Sequence, residues 1–240
     1  MVETMTIQNL LYALLGGVLP VLLWLWFWLK EDNRRPEPRK VLMATFFAGM
    51  IAVLFALVIE RSLFMGEKIL GIEKTFLGTV LLLFLWALVE EVVKYLAAKY
   101  AALKRKSFDE PIDALIYLIT AALGFAALEN TLFLLQAFGI SPMSGFITTN
   151  LRFLGATLLH VATSGIVGAS IGFSFFHKKD MRRNVIGGIA IATTLHFIFN
   201  YYIINNGGGN VLKTFIPLWI IIIIVIFLFE RVKRIKKEKL

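Results

Sequence analysis

Cysteine is absent from the 240 residues of this chain. Its absence excludes a disulfide framework, a thiol nucleophile and a thiolate metal site. Any metal ligand would therefore be a His, Glu, Asp or Asn side chain. Long polar segments are absent as well, so no part of the chain outside its apolar stretches is expected to fold as a separate soluble domain.

Apolar residues, by contrast, are abundant and spread over the whole length. They make up 58% of the chain, whereas soluble domains contain about 45–50%. This distribution predicts an all-α fold, with residues 1–240 forming a single polytopic bundle of transmembrane helices. The amino-terminal residues lack a positively charged region and a small-residue cleavage site, so we expect the first apolar segment to remain as an anchor.

The apolar segments predict seven spans, because about 20 apolar residues are needed to cross the hydrocarbon core. These spans cover approximately residues 7–29, 41–60, 75–98, 112–137, 146–176, 185–204 and 211–229. The fifth is the longest, which predicts that it tilts or projects into the cytoplasm. Its Ser164, Gly168 and Gly172 have a four-residue spacing that permits close helix packing. We expect the third to sixth spans to form the inner bundle.

The positive charges predict the orientation of the chain in the membrane. The net charge is +9, and most Lys and Arg residues lie after the first, third and fifth spans and in the carboxyl-terminal tail. Cytoplasmic loops carry such an excess, so we expect the N-terminus outside and the C-terminus inside. Anionic lipid headgroups account for these charges, and no nucleic-acid partner is expected.

Four polar motifs lie inside the third to sixth spans. They are Glu90-Glu91-Val92-Val93-Lys94, Phe125-x-x-x-Glu129-Asn130, His160, and His196-x-x-x-Asn200. A charged side chain at the centre of a bilayer costs from about 2.5 to more than 10 kcal/mol. The combination of carboxylates, imidazoles and amides therefore indicates a hydrolytic or metal-binding centre buried in the membrane.

The spacing within these motifs indicates which residues can act together. Lys94 follows Glu90 by four residues and Glu91 by three, so it can pair with either carboxylate. A single lysine cannot neutralise both, and we interpret Glu90 or Glu91 as the general base that activates water. Asn200 lies one turn from His196, where it could hold the imidazole or help to form an oxyanion hole.

Glu129 and Arg152 allow several interpretations. Glu129 could be a metal ligand, a carboxylate that supports a ligand, or the partner of Arg152. Arg152 is expected first to snorkel towards the membrane surface, second to pair with Glu129, and third to contact a substrate carboxylate. Asn130 is typical of a contact between helices, and Phe125 is interpreted as a packing residue.

In their order, the four motifs resemble those of the PrsW family of intramembrane proteases. This family is distantly similar to the type II CAAX prenyl proteases and to the bacterial Abi/CPBP proteins. The resemblance covers about residues 75–205, which we therefore expect to form the catalytic core. It implies a peptidase of the cell membrane that cleaves a membrane-tethered protein, such as an anti-sigma factor at site 1 in stress signalling. It also implies that the essential catalytic positions are Glu90, Glu91, His160 and His196.

The chemistry of such a centre stays open between a glutamate-activated and a metal-bound water. Residues that could hold a divalent metal such as zinc, with a position left for water, are Glu90, Glu129, His160 and His196. Residues expected to support the centre are Lys94, Glu129, Asn130 and Asn200.

Two functions of other classes remain as alternatives. A proton-coupled transporter also uses buried Glu and His residues, although the sequence lacks an inverted repeat and paired broken helices. A non-catalytic membrane scaffold would use the polar cluster only to lock the bundle.

Overall fold

The computed structural model describes residues 6–30, 35–72, 75–206 and 211–236, and within these ranges all regular structure is helical. The α-helices are α1 (Ile7–Leu29), α2 (Arg39–Ile69), α3 (Phe76–Ala98), α4 (Asp113–Ile140), α5 (Pro142–Leu151), α6 (Thr157–Phe173), α7 (Lys178–Asn206) and α8 (Val211–Lys233). Two π-helical segments extend them: Lys99–Leu103 continues α3, and Arg152–Ala156 joins α5 to α6. Seven of the resulting helices are long and apolar enough to cross a membrane, which confirms the predicted all-α, seven-span fold.

Two of the predicted spans differ from the structure in ways that affect the site. The second was expected to end at residue 60, but α2 continues to Ile69, so Glu60 lies well inside the helix. The fifth was expected to be one long helix. It is instead α5 and α6 joined by the π-helical turn Arg152–Ala156.

Fewer spans are buried at the centre of the bundle than the sequence indicated. Most of α4 and of the fifth span is buried inside the protein, whereas the other five spans leave most of their residues uncovered. The expectation of four inner spans is therefore wrong in part, because α3 and α7 lie at the periphery. Helix α3 turns its polar face towards α4 and α6, and α7 turns its polar face towards α3 and α6.

Glycine permits the close crossing of α2 and α4 that brings the site helices together. A Cβ atom at Gly49 would overlap the carbonyl oxygen of Ala121, and one at Gly124 would overlap that of Phe46. The two glycines thus face each other's helix at a single crossing, as small residues do where membrane helices approach closely.

The predicted cytoplasmic end of α4 is held by side chains. The Asp113 carboxylate accepts hydrogen bonds from the backbone N–H groups of Asp109 and Glu110, at 2.9 and 2.7 Å. Tyr117, one turn further, donates its hydroxyl proton to the buried carboxylate of Glu37, which precedes α2. These contacts fix the position at which α4 begins, and they thereby fix how deep in the bundle Glu129 lies.

Candidate active site

Helix α3 presents two adjacent carboxylates in different directions, as expected for neighbouring residues on a helix. Glu91 Oε1 lies 2.6 Å from Lys94 Nζ, and both side chains are almost completely buried, at 1% and 0% exposure. Lys94 therefore pairs with Glu91 and leaves Glu90 without a cation of its own.

His196 on α7 completes the surroundings of Glu91. Its Nδ1 lies 2.7 Å from Glu91 Oε1. A carboxylate only accepts hydrogen bonds, so Nδ1 carries a proton, and in the neutral imidazole the lone pair lies on Nε2. This Nε2 lies 3.8 Å from Glu90 Oε2.

His160 on α6 is held at both ring nitrogens. Its Nδ1 lies 3.0 Å from Lys94 Nζ and its Nε2 lies 2.9 Å from Glu129 Oε2. An ammonium group only donates, so Nδ1 accepts and Nε2–H donates to the Glu129 carboxylate. His160 is therefore a neutral imidazole with its Nδ1 lone pair turned towards α3, 3.9 Å from Glu90 Oε2.

Both imidazole rings have a nitrogen atom close to the carboxylate of Glu90. Its Oε2 atom is buried and has no hydrogen-bond partner among the described residues. Donor atoms of Glu90, His160 and His196 all lie within 4.8 Å of one another. Buried polar atoms are nearly always paired, so the unsatisfied oxygen between two imidazoles indicates a position for a metal ion or a water molecule.

The chemistry of these three residues fits a divalent metal. Two His and one Glu form one of the known ligand sets of catalytic zinc sites, with donors about 3.4 Å apart in a tetrahedral arrangement. Glu90 Oε2 lies 3.9 Å from His160 Nδ1 and 3.8 Å from His196 Nε2. These side chains would therefore need to move together only slightly to bind the metal. Ligating histidines usually donate their other N–H to a carboxylate, although here the Lys94 ammonium shares the lone pair of His160.

Glu129 is shared between His160 and Arg152. Its Oε2 lies 2.6 Å from Arg152 Nη2, and Arg152 Nε donates to Asn130 Oδ1 at 2.5 Å. Asn130 Nδ2 in turn donates to Thr157 Oγ1 at 3.0 Å. The expectation that Arg152 snorkels to the membrane surface is wrong. The second expectation, that Arg152 pairs with Glu129, is confirmed.

The π-helical turn explains how Arg152 reaches Glu129. This turn begins at Arg152 and inserts an extra residue between α5 and α6. It therefore rotates Arg152 relative to His160, so that both side chains meet the same carboxylate. Such π-bulges occur frequently at functional sites.

Two further residues of the motifs, Phe125 and Asn200, make no side-chain hydrogen bond within the described residues. The ring of Phe125 packs against His160, with 5.4 Å between ring centroids, as expected of a packing residue. Asn200 is partly buried one turn from His196, and its side chain makes no hydrogen bond within the described ranges. Glu91 rather than Asn200 holds the His196 imidazole.

Sequence analysis missed one acidic residue of the site. Glu60 on α2 interacts electrostatically with both Glu90 and Glu129. The predicted second span ended at this residue, and Glu60 was not among the candidate site residues. The available signal was its four-residue spacing from Ala52 and Ala56, which are buried on the same face of the helix.

Comparison with known proteins yields one family. The sequence model of the PrsW family intramembrane metalloproteases matches residues 37–229. Among similar proteins named Protease PrsW, one from Geobacillus kaustophilus is 29% identical over 191 residues, covering 79% of this chain and 78% of its own. Another from Oceanobacillus iheyensis is 24% identical over 214 residues, covering 88% and 93%. No solved structure matches.

Proposed function

The chain belongs to the PrsW family of intramembrane metalloproteases, and we propose that Glu90, His160 and His196 form its catalytic centre. It is thus an intramembrane protease of the cell membrane. We propose that this centre hydrolyses a peptide bond in a membrane-tethered protein. The observation that carries the proposal is the unsatisfied oxygen of Glu90, buried between two imidazole nitrogens.

In the leading form of the proposal, Glu90 Oε2, His160 Nδ1 and His196 Nε2 hold a divalent metal such as zinc. A bound metal of this kind would polarise a carbonyl and lower the pKa of a water molecule. Glu129 then supports the centre instead of ligating the metal, because its Oε2 already bonds to His160 and Arg152.

The surrounding residues orient and neutralise the centre. Glu91 keeps the proton of His196 on Nδ1 and leaves Nε2 directed at Glu90. Glu129 does the same for His160 by accepting from Nε2–H. Lys94 and Arg152 compensate the charges of Glu91 and Glu129. The unbonded amide of Asn200 remains able to donate to an oxyanion.

One observation favours a second mechanism on the same residues. Lys94 Nζ bonds to His160 Nδ1 and so occupies the lone pair that a metal would need. Without a metal, Glu90 Oε2 would take a proton from water, and His196 Nε2 would exchange a proton with the intermediate. In this mechanism the enzyme is a glutamic peptidase.

The substrate class follows from the resemblance of the motifs. We propose that the enzyme cuts a membrane-anchored protein, and that this protein is an anti-sigma factor cleaved at site 1 during stress signalling. The burial of the centre among spans supports a substrate that reaches it from within the membrane.

The proposal is tested with purified enzyme and a single-span model substrate in lipid nanodiscs. Glu90→Gln and His196→Ala should abolish cleavage, whereas His177→Ala, in the predicted cytoplasmic loop, should not. Loss of activity with a zinc chelator and recovery with added zinc would support the metal mechanism, and insensitivity to the chelator the glutamic one. Cleavage at the wild-type rate by Glu90→Gln would contradict both.

A further inference from the structure

We propose that Glu60 is a charge-balancing residue of the catalytic centre, which supplies the second negative charge that a divalent cation requires there. The inference rests on the metal centre proposed above. It concerns a residue on α2, a helix that carries none of the four polar motifs.

The packing of α2 directs Glu60 towards the site. Ala52, Val53 and Ala56 form one apolar cluster with Val93 of α3 and Phe125 of α4. Glu60 lies one turn beyond Ala56 on the same face of α2.

The directions of the helices then determine the position of Glu60 along the long axis of the bundle. Helices α2 and α4 run the same way, so Glu60 lies one turn beyond the cluster on α2, as Glu129 does on α4. On α3, which runs the opposite way, the indole N–H of Trp86 donates to the backbone carbonyl of Glu60 at 3.3 Å. Trp86 precedes Glu90 by one turn, so the backbone of Glu60 lies about one helical turn from Glu90 along the bundle.

The carboxylate of Glu60 has no local partner. Within the described residues, no cation and no hydrogen-bond donor contacts it, although the residue is partly buried. Its electrostatic interactions with other acids of the site are with Glu90 and Glu129. An ionised carboxylate in lipid that faces other carboxylates is unfavourable, and either a cation or a proton relieves the repulsion.

A count of charges identifies the missing cation. Lys94 compensates Glu91, Arg152 compensates Glu129, and the geometry requires His160 to be neutral. Glu60 and Glu90 are the two carboxylates that remain. When both are ionised, their two negative charges match one divalent cation, held by Glu90 and balanced by Glu60 without direct ligation.

The test measures zinc binding to the purified, metal-free full chain by titration calorimetry, so that the readout does not depend on cleavage. Glu60→Gln should weaken zinc affinity roughly 10-fold, as loss of a supporting carboxylate does at other zinc sites, with the stoichiometry unchanged. Glu60→Asp keeps the charge and should restore most of the affinity. Glu67→Gln is the matched control, because Glu67 lies on the same helix but its carboxylate lies beside Gly78, in the first turn of α3.

The outcomes separate this inference from the metal centre itself. Equal zinc affinity for wild type and Glu60→Gln would overturn the role of Glu60 and leave the metal centre standing. Absence of zinc binding in the wild type would overturn both. An equal loss in Glu60→Gln and Glu67→Gln would assign the effect to α2 as a whole and also overturn the role of Glu60.

Discussion

At the scale of single residues, the two neighbouring glutamates of α3 have opposite surroundings. Glu91 Oε1 is bonded to Lys94 and His196 and the charge of this carboxylate is compensated, although Glu91 Oε2 has no hydrogen-bond partner among the described residues. Glu90 has an unsatisfied oxygen facing two imidazoles. A carboxylate whose charge is compensated by a buried cation contributes to stability, whereas an unsatisfied carboxylate oxygen that faces two imidazoles is a candidate for function.

Replacing each glutamate by glutamine should therefore have different effects. Glu90→Gln should lower kcat/KM by roughly 10³-fold or more. Measured on metal-free protein, its melting temperature should be unchanged, because Glu90 makes no hydrogen bond within the described residues. Glu91→Gln should lower the melting temperature, because it leaves Lys94 as a buried charge without compensation. Cleavage kinetics and thermal unfolding in detergent check both, and a reversed pattern would show that the two roles have been exchanged.

The buried pair of Glu91 and Lys94 allows a further test at this scale. Lys94→Met should destabilise the fold by about 3–5 kcal/mol, because Glu91 is left buried and unpaired. Adding Glu91→Gln should recover much of this loss, since the second change removes the remaining charge. Unfolding free energies of the four proteins in the cycle give the coupling directly. Additive losses would mean that the two side chains do not interact.

Sequence spacing predicted that Lys94 pairs with one of the two glutamates but could not choose between them. Both are within reach along the helix, and the choice depends on His196, which approaches Glu91 from α7. Such a contact between distant parts of the chain leaves no trace in local spacing. The residue types of the site were predictable for a different reason, because ionisable groups in apolar spans are costly wherever they point.

At the scale of elements, the crossing of α2 and α4 determines how closely Glu60 and Glu129 approach α3. Neither helix has room for a side chain at this crossing, where Gly49 and Gly124 face the opposite backbone. The crossing therefore links the packing of the bundle to the geometry of the site.

Gly124→Ala should destabilise the protein by about 1–3 kcal/mol, because the added methyl group forces the two backbones apart. Gly139→Ala on the same helix is the matched control, since a Cβ atom there meets no other atom within 4 Å. It should leave the unfolding free energy unchanged or slightly higher. Equal effects of the two substitutions would show that the crossing tolerates a side chain.

The π-helical turn at Arg152–Ala156 is an element that hydrophobic periodicity did not predict. Its apolar composition is typical of any span, and the extra residue is stabilised by contacts elsewhere, between Arg152 and the pair Glu129 and Asn130. The span itself was predictable from length and hydropathy. The π-helical turn within it was not predictable, because this turn depends on the contacts of Arg152 with Glu129 and Asn130 of α4.

At the scale of the whole molecule, the distribution of Lys and Arg predicts an N-terminus outside and a C-terminus inside the cell. A fluorescent protein fused to the C-terminus should therefore fluoresce in a bacterial host, and alkaline phosphatase fused there should be inactive. A phosphatase fusion after residue 140, between α4 and α5, should be active. The opposite pattern of reporter activities would show that the orientation is inverted.

The central claim is that Glu90, His160 and His196 bind one divalent metal on which proteolysis depends. Its most direct test is metal analysis of the purified full chain, with cleavage measured on the same samples. We predict about one zinc ion per chain in the wild type, its loss in Glu90→Gln and His196→Ala, and activity in proportion to metal content. Full cleavage by a wild-type preparation that contains no metal would contradict the claim.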